Sequence, residues 1–199
     1  MDVALEDRHA GRIVPATLIE RIDVAYAKRV DDLWLTFLAA AIAEAEAAGT
    51  PVELLEHTHW RWTGKVELTA HLLSYPTLAI ECEERPQGLM MLKTDGEIAR
   101  SQNEQGKPLV YVEFLATAPW NLPAVVARPR FRGAGTILLR AAIETSLDLG
   151  FKGRIGLHSL RDAEIFYARS GMTALGRDQK KENLEYFEMT STQAMAFIR

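Results

Sequence analysis

A basic turn that contains two glycines and leads into a helix constrains this sequence more than any other stretch. Residues 128–135 read Arg-Pro-Arg-Phe-Arg-Gly-Ala-Gly, and apolar periodicity over 136–149 then predicts a helix that ends at Gly150. The first N–H groups of a helix lack intrahelical partners, and the helix dipole places partial positive charge there. Because Gly133 and Gly135 carry no Cβ, a ligand can approach this backbone closely. The turn therefore predicts a site for a phosphate-bearing ligand.

Predicted strands lie on both sides of this turn and helix. Leu109–Thr117 is a continuous β-branched and aromatic run, which is typical of a strand buried on both faces. The other predicted strands are 77–83 with its hairpin partner 89–93, then 154–158, 172–175 and 184–189. A short helix over 162–170 and a last helix capped by Thr190 or Ser191 complete the pattern. Strands that alternate with helices after a hairpin predict one α/β domain with a mixed, largely antiparallel sheet flanked by helices.

The first 76 residues are predicted to form a mainly helical N-terminal extension. Residues 1–14 are polar and predict loose chain or a short edge strand, and helical spacing begins at Pro15. Asp31 and Asp32 indicate the start of a second helix that continues to Ala48, and 64–74 predicts a third. We expect these helices to pack on the sheet, with a homodimer contact as the second interpretation. Farther along, Arg-Pro-Gln-Gly at 85–88 predicts a turn.

Composition excludes several functional classes. A net charge of −4 gives no overall field that would hold nucleic acid. The single cysteine, Cys82, alternates with apolar neighbours and predicts a core residue, and it excludes an internal disulfide. Neither a signal peptide nor an apolar run of about 20 residues is present, so a cytoplasmic protein without a membrane partner is expected. His57 and His59 have no matching ligand set nearby, so no metal is expected.

Two common nucleotide motifs do not fit the glycine turn. The P-loop pattern is absent, and the dinucleotide fingerprint fails because position 138 is leucine. The run from Arg130 to Gly135 instead resembles the Arg/Gln-x-x-Gly-x-Gly/Ala motif of the GCN5-related N-acetyltransferase (GNAT) superfamily. The resemblance implies that the backbone here holds the pyrophosphate of acetyl-coenzyme A, assisted by arginine side chains. The cofactor-binding residues expected in this segment are Arg130, Phe131, Arg132, Gly133, Ala134, Gly135 and Thr136.

A second element also resembles this superfamily, and the resemblance spans about residues 77–190, the expected acetyl-coenzyme A-binding core. Residues 163–172 follow the GNAT pattern Ala-x-x-x-Tyr-x-x-x-Gly-Phe with methionine last, while Leu160 stands where the family often has asparagine. The resemblance implies that Tyr167 lies near the thioester sulfur and protonates the leaving thiolate. It also implies that the strand before the turn, through Leu115, Ala116 and Thr117, serves the thioester carbonyl and the pantetheine arm.

The resemblance implies acetyl transfer from acetyl-coenzyme A to an amine of a small molecule or a protein. Glu113 is the candidate base, because family members often place a glutamate on this strand, and His158 is the rival. Trp60, Trp62 and Trp120 predict core packing or an apolar acceptor pocket. The alternative function is a non-catalytic sensor or interaction module that binds an acyl-coenzyme A. A third class, a phosphate-ester enzyme, would need an acidic metal cluster that the sequence lacks.

Overall fold

The computed structural model describes residues 1–49 and 60–199. Its strands are β1 (Asp2–Asp7), β2 (Arg12–Ile19), β3 (Thr77–Cys82), β4 (Arg85–Lys93), β5 (Val110–Thr117), β6 (Phe131–Arg132), β7 (Ile155–Ser159), β8 (Thr173–Asp178) and β9 (Leu184–Met189). Its α-helices are α1 (Val24–Ala47), α2 (Trp62–Thr69), α3 (Ala134–Asp148), α4 (Glu164–Arg169) and α5 (Ser191–Phe197). The strand order β6-β1-β2-β3-β4-β5-β7-β9-β8 confirms the predicted mixed sheet.

The chain divides into two compact units. Unit 1 comprises Met1–Leu73, Thr77–Leu89 and Leu115–Gly135. Unit 2 comprises Ser74–Pro76, Met90–Phe114 and Thr136–Arg199.

Unit 1 begins with a β-hairpin where the sequence predicts a helix from Pro15. Strand β2 pairs with β1 and, through residues 17–19, with β3, both antiparallel. Its burial alternates, with Val14, Ala16 and Leu18 facing inward, which is the period of a strand rather than a helix. The predicted helix is wrong. Its apolar residues fit the spacing of a helix as well as that of a strand, and pairing with β1 selects the strand.

Helix α1 starts earlier than the sequence predicts. Asp23 is its N-cap, and its Oδ1 accepts a hydrogen bond of 2.8 Å from the Tyr26 amide. Asp31 lies inside the helix and is buried. Its carboxylate accepts bonds from the first amides of α2, at Trp62 and Thr63, each 2.9 Å long. The predicted start at Asp31 is therefore wrong, because that residue caps a different helix.

The β3–β4 connection is also shifted from its predicted place. The turn residues are Glu83 and Glu84, with φ of 51° and 58°. Positive φ at both central positions is the pattern of a type I′ hairpin turn, so these glutamates occupy a conformation that favours glycine or asparagine. The predicted turn at 85–88 is wrong, because Arg85 already begins β4.

Unit 2 contains the predicted elements close to their predicted bounds. β5 and β7 pair in parallel at Val110–Ile155 and Tyr111–Gly156, and β9 lies antiparallel between β7 and β8. The predicted helix after the glycine turn is confirmed as α3, which Gly150 ends with φ of +76°. Thr190 caps α5 through a capping box with Gln193.

Candidate functional site

The glycine turn forms a strand-to-helix corner in unit 1. β6 pairs antiparallel with β1, so that Phe131 lies opposite Asp7 and Arg132 opposite Glu6. Gly133 then has φ of +109°, a value that L side chains rarely adopt, and α3 begins at the next residue. The first turn of α3 contains no acidic residue. The corner therefore presents amides of a helix N-terminus without a competing carboxylate, as an anion site requires.

The two arginines of the turn differ in their contacts. Arg130 donates to Asp7 Oδ2 from Nε at 3.0 Å and from Nη2 at 2.8 Å, and it donates to both Glu83 oxygens at 2.8 and 2.7 Å. These bonds lower the pKa of Asp7 to about 2. Arg132 is 74% exposed, and its nearest carboxylate, Glu6, lies 3.9 Å away. Arg130 is thus fixed by two carboxylates, whereas Arg132 is exposed and makes a long contact to Glu6.

A buried glutamine organises the chain before the turn, and sequence reasoning missed it. Gln87 is 1% exposed, and its Oε1 accepts bonds of 2.9 Å from Trp120 Nε1 and from Asn121 Nδ2. Asn121 Oδ1 in turn accepts a bond of 3.0 Å from the Phe131 amide. The residues between β5 and β6 are therefore anchored by side-chain hydrogen bonds. A lone glutamine in a strand gives no sequence signal for this role.

Two of the three residues predicted to serve the thioester carbonyl and the pantetheine arm line an apolar cavity of unit 1. Ala116 and Thr117 share this cavity with Trp34, Trp60 and Trp62. The rings of Trp60 and Trp62 meet edge to face at 6.4 Å between centroids. Trp120 lies elsewhere, in a cleft with Arg85, Arg128 and Phe131. The structure thus brings two of the three predicted tryptophans together and separates the third from them.

Unit 2 carries a chain of polar contacts that includes His158. The Tyr111 hydroxyl lies 2.6 Å from His158 Nδ1, and His158 Nε2 lies 3.2 Å from Asp178 Oδ2. Arg100 also donates to Asp178, at 2.9 Å. Burial lowers the pKa of His158, and the bond to Asp178 opposes that change. A neutral imidazole held from both sides can pass a proton between its two partners.

Glu113 lies on the same face of the sheet as this chain of contacts. Because Tyr111 pairs with Gly156 in parallel, Tyr111 and Glu113 share a face with Gly156 and His158. Glu113 is partly exposed. Burial of the Tyr111 phenol is the largest cause that raises its pKa, and the negative charge of Glu113 is the second. Both candidate bases thus lie on one face in unit 2.

Tyr167 lies in α4 and is buried. Its ring packs against Phe166 and against Phe187 of β9, with centroids 5.1 and 5.9 Å away. Burial raises the pKa of its phenol, so the hydroxyl keeps its proton at neutral pH. A phenol in this state can act as an acid or take part in hydrogen bonds, but it cannot act as a phenolate base.

Several other predictions have simple outcomes. Cys82 is buried as predicted, and burial raises the pKa of its thiol. His57 and His59 lie outside the described residues. Over residues 1–49 and 60–199, no group of acidic, histidine or cysteine side chains could hold a metal ion. No helix in those same ranges is both long enough and apolar enough to cross a membrane.

Comparison with known proteins identifies the fold. The sequence matches no family model and no curated protein. The structure is similar to aminoglycoside acetyltransferase AAC(6')-Ib solved with coenzyme A and kanamycin, with a TM-score of 0.57 and 13% identity over 92% of this chain and 99% of that one. A GNAT-family acetyltransferase from Listeria monocytogenes 4b F2365 gives 0.54 and 10% identity over 94% and 99%.

A third similar structure was also solved with the cofactor. The PaiA N-acetyltransferase from Thermoplasma acidophilum, in complex with coenzyme A, gives a TM-score of 0.51 and 12% identity over 87% of this chain and 99% of that one. At such identities the likeness defines the fold alone. The chain has the GNAT fold.

Proposed function

We propose that this protein transfers an acetyl group from acetyl-coenzyme A to an amine. The observation that carries the proposal is the corner at Gly133, where a φ of +109° turns β6 directly into the N-terminus of α3. In a GNAT fold, this corner is the part that the sequence motif assigns to the cofactor's diphosphate. The N–H groups from Gly133 to Thr136 would bind its oxygens, and Arg132 would add a mobile guanidinium.

The remaining cofactor contacts follow from the strand before the turn. Leu115, Ala116 and Thr117 would serve the pantetheine arm and the thioester carbonyl. An N–H donor aimed at that carbonyl stabilises the oxyanion that forms when the amine attacks.

The chemistry needs one acid and one base. The amine must be neutral to attack the thioester carbon, and the C–S bond then breaks to release a thiolate. Tyr167 would donate its proton to that thiolate, since burial raises the pKa of the phenol and keeps it protonated. Glu113 would accept the amine proton. His158 remains the rival, although Tyr111 and Asp178 already occupy both of its ring nitrogens.

The acceptor is proposed to carry an apolar group. The cavity beside Ala116 and Thr117 is walled by tryptophan and leucine side chains. Its carboxylate, Asp31, already accepts bonds from Trp62 and Thr63, so it is a poor partner for a cationic ligand. The cavity has a volume of about 30 Å³, so it favours a small aliphatic group on the amine over a polycation.

A thiol-release assay tests this function. Acetyl-coenzyme A is mixed with a panel of aliphatic, aromatic and polycationic amines, while calorimetry measures coenzyme A binding in parallel. We expect thiol release above the amine-free rate with at least one apolar amine. Tight coenzyme A binding without thiol release from any amine would support the non-catalytic alternative instead, and absence of binding would exclude both.

The Arg132→Ala substitution tests the diphosphate assignment. Because Arg132 is 74% exposed and makes only a long contact to Glu6, its removal should leave folding intact. Affinity for coenzyme A should fall by roughly tenfold, as expected for one lost charge-assisted contact. An exposed arginine on α3, Arg140, gives the control, since Arg140→Ala should leave affinity unchanged. Unchanged affinity in Arg132→Ala would refute the role of Arg132.

A further inference from the structure

A second, cationic cleft opens directly before the glycine turn. Its volume is about 270 Å³, and its walls include His9, Arg85, Trp120, Arg128, Arg130 and Phe131. All of these residues belong to unit 1. Phe131 precedes Gly133 by two residues, so their Cα atoms are at most about 7 Å apart. The cleft therefore adjoins the corner that is proposed to hold the diphosphate.

Two carboxylates, Glu83 in the wall of this cleft and Asp7 beside it, share the guanidinium of Arg130. Both oxygens of Glu83 accept bonds from Arg130. Asp7 accepts from Arg130 through Oδ2 and from the amides of His9 and Ala10 through Oδ1. Arg130 is thus committed to two acidic side chains, and Arg85 and Arg128 give the cleft its excess of positive charge.

Arg85 and Arg128 are the cations available to a ligand. Neither forms an ion pair within residues 1–49 and 60–199, and both are exposed. The Arg85 guanidinium lies over the Trp120 ring, 4.5 Å from its centroid, which leaves its N–H donors for an acceptor. The Arg128 carbonyl lies 2.9 Å from His9 Nε2, so the backbone that carries this side chain is held in place.

The platform under Arg85 is built rather than accidental. Trp120 donates to Gln87 Oε1, and Gln87 is 1% exposed. Gln87 Nε2 in turn donates to the carbonyls of Cys82 and Arg85. A buried side chain thus fixes both the aromatic ring and the start of the strand that carries the guanidinium.

We propose that this cleft binds a phosphate monoester, namely the 3′-phosphate of coenzyme A. The inference rests on the proposed function, because coenzyme A carries this third phosphate on the ribose next to its diphosphate. Guanidinium groups bind phosphate oxygens through paired N–H donors, and two arginines that line this cleft, Arg85 and Arg128, carry such groups. Arg85 and Arg128 then distinguish coenzyme A from its dephosphorylated form, whereas Arg132 and the α3 amides bind the diphosphate that both forms share.

Calorimetry with coenzyme A and 3′-dephospho-coenzyme A tests the inference. The wild-type protein should bind coenzyme A about tenfold more tightly, the loss expected for charge-assisted contacts at a partly exposed site. In the Arg85→Gln, Arg128→Gln double variant, this ratio should fall to about one while affinity for the dephosphorylated form stays the same. Rising salt should also reduce the wild-type ratio, because screening weakens exposed charge contacts.

Two single variants act as controls. Arg132→Gln should weaken the binding of both ligands equally. Arg140 is an exposed arginine on α3, and Arg140→Gln should change the affinity for neither ligand. Equal wild-type affinity for the two ligands, or a double variant that keeps the tenfold ratio, would overturn this inference and leave the proposed function intact. If neither ligand binds the wild-type protein, the proposed function and this inference fail together.

Discussion

Asp31→Ala is expected to destabilise the protein far more than the neighbouring substitution Asp32→Ala. Asp31 is 8% exposed, and its carboxylate accepts bonds of 2.9 Å from the Trp62 and Thr63 amides and of 2.7 Å from the Thr63 hydroxyl. Asp32 is exposed, and it pairs with Lys28 at 3.2 Å. The two residues share their chemistry and their helix, so the difference between them isolates the buried contacts.

The magnitude follows from the groups left without a partner. A buried amide without an acceptor, here that of Trp62, costs about 1–3 kcal/mol, and the lost cap of α2 costs about 1 kcal/mol. Alanine in the middle of α1 recovers about 0.5 kcal/mol through its helix propensity. The net loss expected for Asp31→Ala is therefore about 1.5–3.5 kcal/mol. Asp32→Ala should stay within about 0.5 kcal/mol, as exposed pairs do.

Urea unfolding followed by tryptophan fluorescence measures this difference. With a denaturant slope of about 2 kcal/mol per molar, Asp31→Ala should lower the unfolding midpoint by about 1 M. Asp31→Asn should fall in between, because its single carbonyl oxygen replaces two carboxylate oxygens. Equal midpoints for Asp31→Ala and Asp32→Ala would refute the reading of Asp31 as the cap of α2.

Three further predictions concern stability at low pH, the backbone corner at Gly133 and the proposed acid, Tyr167. Because Arg130 lowers the pKa of Asp7 from 3.8 to about 2, their pairing stabilises the fold above pH 3.8 and is lost as pH falls through 2. The midpoint of urea unfolding should therefore fall in the wild type as the pH is lowered from 3.8 to about 2, and it should change less in Arg130→Ala. Gly133→Ala should cost about 1–3 kcal/mol of stability through its positive φ and weaken coenzyme A binding, whereas Gly64→Ala, in helix α2 with open space around it, should stabilise. Tyr167→Phe should slow thiol release by about a hundredfold or more with coenzyme A affinity unchanged, and a full-rate variant would remove Tyr167 from the mechanism.

The sequence predicted the elements whose signals are local. Strands β3, β5, β7 and β9 and helix α3 carry periodicity, turn residues and caps within a few positions of their own ends. The corner at Gly133 was predictable for the same reason, since glycine marks a backbone that other residues avoid.

The errors arise where distant partners decide the structure. Asp23 and Asp31 are equally good helix starts in sequence, and only contact with residues 31 and 32 positions away assigns Asp31 to α2. The role of Arg130 depends on Asp7 and Glu83, which lie 123 and 47 positions away. Single-sequence patterns contain no information about such pairs, so the arginine that the motif marks most clearly was the one whose contacts were misjudged.

The β3–β4 turn links backbone strain to the chemistry of the cleft. Glu83 and Glu84 hold positive φ values that asparagine and glycine adopt more easily, so an Asn-Gly pair there should relax the hairpin. That exchange would also remove the carboxylate that holds two of the Arg130 nitrogens. A redesign for thermal stability at this turn would therefore leave Arg130 held by Asp7 and free its Nη1 donors for bound anions, so ligand preference would change together with the melting temperature.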